Sequence, residues 1–489
     1  PLTARLRSLT FLVAGLLAAV LVLWVSRRPL PAIAPDSVSY LGAGVSLAHN
    51  GTLRVPFNDW TDADSTAALT DYAPGYPMAL AIPIAAGVAP ATAARWIQAV
   101  AIGAALAIAL ALLDAMSGPV AALLGLPLLL LLPALTDIHL WILSEPLFIA
   151  VTVATLAAMA RRPERPLAYG TMAALGNLVR FAGVSLVGAA FLWAITRPGG
   201  RRMRAQRAAL AAAPGLALHL WWRLHDLSPA GGIGGPFTAG LGATLHQGIA
   251  TVVAWLVPLD LAGSWRGAVA MTIAFGVAFA TWRVWRSARA ATRDLLAAAA
   301  LVAGCYFGML VVARMTVVPD LPFDSRILAP LLVVTTIAIS TIVASRWRDG
   351  ARRTAIVSVA MVALWSVAAG TRDVGTVRMA RRFGLGYESL EWQASPIAAW
   401  LRGPGSGRTI YTSDPAGTWA IIHRPSRFLP SSLTPDTVAR FSAAFAARPS
   451  ALIALPPELA PQAPPDSLAA RLGLIAAART AYGTVWVGR

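Results

Sequence analysis

Apolar residues along this 489-residue chain gather into runs of about 15 to 20 positions, the length at which a helix crosses a hydrocarbon core. The first, Leu9–Val25, follows Arg5 and Arg7 and ends at Trp24 and Arg27-Arg28 with no small-residue cleavage site, so it reads as a span and not as a signal peptide. Further runs lie at Ala94–Ala115, Val120–Leu135 and Trp141–Ala160. Leu167–Ile195 is too long for one helix and is interrupted by Gly176-Asn177 and Arg180, which predicts two short helices. Ala208–Trp222, Ala268–Trp282, Leu295–Ala313, Ile327–Ala344 and Thr354–Ala369 bring the expectation to about eleven transmembrane helices. His246–Pro258 is too short to span and predicts an interfacial helix, next to a flexible loop at Gly231–Pro236.

From about Thr371 the pattern changes. Turn clusters such as Gly403–Gly407 and Leu455-Pro456-Pro457 separate short β-like runs at Arg408–Thr412, Ala451–Leu455 and Gly483–Val487, with a helix-like Asp466–Arg479 between the last two. The expected fold is mostly α: a polytopic membrane module over residues 1–370, with a long first outer loop at 27–93, and a small soluble α/β domain over 371–489.

Composition sharpens this picture. Only 13% of residues are charged against 57% hydrophobic, whereas a soluble domain carries about 25% charged residues. The net charge is +18, and every basic residue is arginine. Mechanisms that need a deprotonatable amine, including P-loop and Schiff-base lysines, are thereby excluded. Four short connectors carry arginine clusters: Arg161/Arg162/Arg165, Arg197–Arg207, Arg283–Arg293 and Arg346–Arg353. With the N-terminus inside, eleven spans put all four on the cytoplasmic side, so the basic charge reports topology and not nucleic-acid binding. The outer segments are then residues 27–93, residues 225–266 and everything after about 370. The single cysteine, Cys305, leaves no intrachain disulfide or thiolate zinc site.

Candidate chemistry lies on the outer side. Asp36, about ten residues beyond the first span, is placed to take a proton from an incoming hydroxyl; the plain alternative is a solvated loop acid. Tyr40 lies one turn further on. Tyr72-Ala73-Pro74-Gly75-Tyr76-Pro77 predicts a rigid turn presenting both phenol rings at the interface, which an aromatic belt would also do. Asp137, His139 and Glu145 bracket the outer end of the fourth span, where Ser144-Glu145-Pro146 is equally a helix-start signature. Arg180 and Arg326 run against the cytoplasmic arginine bias. They suit a lipid phosphate or, more plainly, snorkelling, with Asp324 a local partner of Arg326. No HExxH metal spacing, G-x-S-x-G elbow or dinucleotide fingerprint occurs.

Together, Asp36 with Tyr40, the Tyr-Ala-Pro-Gly-Tyr-Pro turn, Leu143–Phe148, Leu178–Gly183 and Arg326–Pro330 resemble the GT-C superfamily of integral-membrane glycosyltransferases, in the bacterial protein O-mannosyltransferase and aminoarabinose-transferase-like branch. The tail segments Ile410–Asp414 and Arg427–Pro430 are similar to the outer domain of such proteins. The resemblance implies a multi-pass enzyme of the bacterial cytoplasmic membrane that moves a hexose or pentose, with inversion, from a polyprenyl-phosphate donor to an extracytoplasmic lipid, glycan or protein. It implies Asp36 as base, Arg180 and Arg326 against the phosphate, and Tyr40, Tyr72, Tyr76, Asp137, His139 and Glu145 around the substrates, with Glu145 orienting the acceptor or holding a divalent cation. Two positions depart from the pattern: Ser37 stands where relatives carry a second acid, and Tyr72-Ala73-Pro74 where many have His-Pro-Pro. A polytopic transporter or lipid flippase would share the intramembrane charges but has no need of a long acidic outer loop; a non-catalytic assembly protein is the third alternative.

Overall fold

A computed structural model describes residues 2–225, 240–258, 263–316, 321–348, 352–455 and 464–488. The expected Gly231–Pro236 loop lies outside the described residues, as do Pro456 and Pro457 of the Leu455 turn. Contacts divide the chain into two compact units: residues 1–25, 95–140 and 144–378 form the first, and residues 26–94, 141–143 and 379–489 the second. Residues 26–94 thus pack with the C-terminal segment, whereas the sequence pattern groups them with the membrane module.

The first unit is helical. Six helices in the described chain are long and apolar enough to cross a membrane: Arg5–Val25, Pro90–Ser117, Gly263–Ser287, Ala290–Thr316, Ser325–Arg348 and Ile356–Phe383. A seventh arises if Pro119–Leu130 and Pro133–His139 are one span, bent by 47°. The bend falls at Leu131-Leu132, where Pro133 supplies no N–H and disfavours helix in the residue before it. The remaining expected spans form helices that are shorter or more polar, namely Glu145–Arg161, Pro166–Val179, Val184–Thr196 and Arg201–His225. Leu167–Ile195 does fold as two helices, but Gly176 and Asn177 lie inside the first and the break comes at Arg180, whose backbone is extended. The chain then turns through Phe181–Gly183 so tightly that a Cβ on Gly183 would sit 2.2 Å from the Asn177 nitrogen, so only glycine fits. His246–Pro258 falls largely within one helix, Leu241–Leu256.

In the second unit, β1 (Arg54–Val55) pairs antiparallel with β3 (Ala67–Ala68). A six-stranded sheet has the order β2-β5-β4-β6-β8-β7, with β2 at Phe57–Asn58, β4 at Thr409–Thr412, β5 at Ser426–Phe428, β6 at Ser450–Ala454, β7 at Ile475–Thr480 and β8 at Gly483–Val487. Strands β2, β5, β4 and β6 run parallel, and β8 and β7 close the sheet as an antiparallel hairpin. One face buries Ile410, Ala451, Ile453 and Val485 and the other Tyr411, Leu452 and Trp486, the pattern of a sheet covered on both sides. The crossover helices Pro415–Ile422 and Pro435–Ala446 start at Asp414 and Thr434, whose side chains accept from the backbone N–H three residues on, each followed by proline in the first turn.

The segment Asp466–Arg479 is only half helix. Helix Pro465–Arg471 stops at Gly473, whose φ is +63°, and Ile475–Thr480 becomes β7 because β8 offers it a ladder partner across a tight turn. Strand β2 brings the first outer loop into the sheet, and Arg427 of β5 secures that loop by donating to the backbone carbonyls of Asp59, Asp62 and Ala63. Trp60 packs edge-on against Phe441 at 5.4 Å between centroids.

Candidate functional site

Two polar clusters stand out, one in each unit. The cluster in the second unit is built on helix Pro35–Asn50, with Pro35 and Asp36 in its first turn, where an anion favours the helix dipole. One turn separates Asp36 from Tyr40, so both project from the same face. Tyr72 donates its hydroxyl to Asp36 Oδ1 at 2.9 Å. Tyr40 lies edge-on to Tyr72 at 5.0 Å and to Tyr76 at 5.2 Å, so the three rings and the carboxylate form one group. Tyr76 is fully buried in helix Gly75–Ala85, whereas Tyr72 is half-buried. Burial, and then the charge of Asp36, push the Tyr72 hydroxyl well above the usual phenol range, so it stays a donor.

The turn that leads into this helix is fixed from two sides. Ile142 N–H donates to Ala32 O at 2.9 Å, and Ser37 Oγ donates back to Ile142 O at 2.7 Å while accepting from Ala34 N–H at 2.9 Å. Opposite, Tyr387 N–H donates to Ile33 O at 3.0 Å. Gly386 makes this approach with φ +52°, and a Cβ there would meet Ile33 O and the Trp141 ring, each at 2.5 Å.

Tyr387 itself, with Asp414, was not legible as part of a site. Its hydroxyl lies 3.0 and 2.8 Å from the two Asp414 oxygens, and Asp414 also caps its helix through Gly417 N–H at 2.9 Å. Burial pushes the Asp414 carboxyl up; burial and then Asp414 raise the Tyr387 phenol, with a further contribution from Asp36. The one signal in the sequence was Asp414-Pro415, a helix-start pair inside a tail segment singled out only by resemblance.

The cluster in the first unit centres on Glu145, 1% exposed, at the start of helix Glu145–Arg161. Glu145 Oε2 pairs with Arg180 Nη1 at 2.7 Å and Oε1 with Arg326 Nε at 3.4 Å. Arg180 Nη1 also donates to Ser144 Oγ at 2.8 Å. Ser144 does occupy the N-cap position, but its hydroxyl serves Arg180 and makes no cap hydrogen bond. The Asp324 carboxylate accepts from Ile327 N–H at 2.9 Å and starts the next helix. Two guanidiniums, one from the break at Arg180 and one from helix Ser325–Arg348, therefore share one buried carboxylate, and the three side chains sum to +1.

Asp137 and His139 do not join this cluster. Asp137 pairs with Arg372 at 3.3 Å, and His139 Nδ1 faces the Leu135 carbonyl of its own helix. Asp137 and His139 belong to a separate helix, Pro133–His139, which ends before Glu145 begins the next. Among the described residues no three His, Cys, Asp or Glu side chains gather into a cation site, so a divalent ion at Glu145 does not fit the donors present.

No family model matches the chain, and no curated protein sequence does. The fold, however, has solved counterparts. It is similar to ArnT from Cupriavidus metallidurans in the apo state, with a TM-score of 0.62 at 14% identity over 97% of both chains. ArnT bound to undecaprenyl phosphate gives 0.59 at 14% identity, over 98% of this chain and 97% of that one. The oligosaccharyltransferase AglB from Archaeoglobus fulgidus, in complex with an inhibitory peptide and a dolichol-phosphate, gives 0.51 at 13% identity, over 92% of this chain and 69% of that one. The polypeptide is a multi-pass membrane protein with the fold of the GT-C glycosyltransferases.

Proposed function

We propose that the chain is a membrane glycosyltransferase that moves a sugar from a polyprenyl-phosphate donor to an acceptor hydroxyl or amine outside the cytoplasm, inverting the anomeric carbon. The observation that carries this reading is the Asp36 carboxylate, held at a helix start by Tyr72, whose ring packs on Tyr40, on a fold that in ArnT accompanies a bound polyprenyl phosphate. Asp36 takes the acceptor proton as the acceptor atom bonds to the anomeric carbon. The carbon–oxygen bond to phosphate breaks, and both its electrons leave with the lipid phosphate. Arg180 and Arg326 stabilise the charge that gathers there, and Glu145 holds these two like charges together while the phosphate is absent. Tyr40 and Tyr76 are assigned to substrate binding. Asp137 and His139 keep only the structural contacts described above. The eleven-span topology, placement in a bacterial cytoplasmic membrane and an outer position for residues 371–489 complete the proposal.

The test uses the full chain in lipid vesicles with radiolabelled hexoses and pentoses on polyprenyl phosphate, plus cell-envelope glycans and glycolipids. Label should enter an envelope acceptor from at least one donor. Label that only changes leaflet on its intact carrier would favour the flippase instead, and no transfer from any donor would sink the proposal.

A further inference from the structure

Ser37 follows Asp36 in the first turn of helix Pro35–Asn50. The residue is fully buried and its hydroxyl is spent twice, on Ala34 N–H and on Ile142 O. Ile142 in turn uses its own N–H on Ala32 O, so one residue more than a hundred positions away grips the entry to helix Pro35–Asn50 at both its polar backbone groups. The opposite edge of the same turn is held by Tyr387 N–H on Ile33 O. Asp36, between these ties, has its backbone fixed on both sides before its side chain meets Tyr72.

We propose that Ser37 is the positioning residue for Asp36: its bond to the Ile142 carbonyl sets the helix start so that the carboxylate faces the reacting hydroxyl. This rests on the transferase reading above. A carboxylate at this position could still accept from Ala34 N–H but would face the Ile142 carbonyl oxygen with no proton to donate to it. A residue that only positions the base should alter turnover and leave donor affinity alone, since a misaligned base loses rate without losing ligand contacts.

Ser37→Ala in the full-length chain separates the possibilities. Hydrogen–deuterium exchange over residues 34–40 should become at least tenfold faster while β4 and β6 stay protected; kcat for transfer should fall about tenfold with donor KM within twofold of wild type. Ser37→Asp should be slower still. Unchanged exchange over 34–40, or faster exchange with wild-type kcat, overturns the proposal, as does a gain of rate in Ser37→Asp. Asp36→Asn run alongside keeps the failures apart: an active Asp36→Asn sinks the transferase reading, while the exchange result still decides whether Ser37 holds this turn.

Discussion

Replacing Asp36 with Asn is expected to lower kcat for sugar transfer by at least about a hundredfold, the usual loss when a positioned general base is removed. The amide keeps the shape of the carboxylate and an oxygen for the Tyr72 hydroxyl, so the turn, the tyrosine group and the fold should survive. What disappears is the ability to take a proton. Donor KM should stay close to wild type, because the lipid phosphate is assigned to Arg180 and Arg326. Asp36→Ala is the less informative variant, since it also leaves the half-buried Tyr72 hydroxyl without its acceptor. Near-normal turnover in Asp36→Asn, with the thermal transition unchanged, would remove Asp36 from the chemistry.

The second large effect is on stability. Glu145→Ala should destabilise the membrane unit by about 3 kcal/mol, the low end for breaking a buried ion pair, because both guanidiniums keep some solvent contact. The cause is the pair left behind: Arg180 and Arg326 would both lose the carboxylate that they share. The double variant Glu145→Ala/Arg180→Met should recover much of that stability and no transfer, since it removes one of the guanidiniums left behind, which is also a phosphate ligand. Thermal unfolding in detergent, set beside transfer rates, reads both. A Glu145→Ala protein that melts like wild type would show that the carboxylate does not hold the arginines together.

The membrane character and the helix runs were legible because lipid imposes a length and a polarity on each segment. Shorter helices such as Glu145–Arg161 and Pro166–Val179 stay ambiguous by the same rule. The tyrosines and Asp36 are legible in the sequence, and Tyr72 does bond to Asp36; nothing in the chain's local pattern says that Tyr76 packs against Tyr40. Glu145 looked like a metal or acceptor ligand beside Asp137 and His139. Its actual partners come from 35 and 181 positions further on, distances over which periodicity carries no information. Strand β2 is two residues long, too short for any alternation to register, and it forms because β5 offers it a partner. Tyr387 and Asp414 meet through backbone geometry at Gly386 and a helix cap, features that become chemistry only once the chain has folded.

The most direct measurement is the anomeric configuration of the product. A donor of defined configuration, incubated with the full chain, gives a glycoside whose anomeric proton coupling is read by NMR. Attack by an acceptor deprotonated at Asp36, on the face opposite the departing lipid phosphate, predicts complete inversion. Retention would require a sugar bound covalently to the protein between two displacements, and would contradict Asp36 acting as a base in a single step.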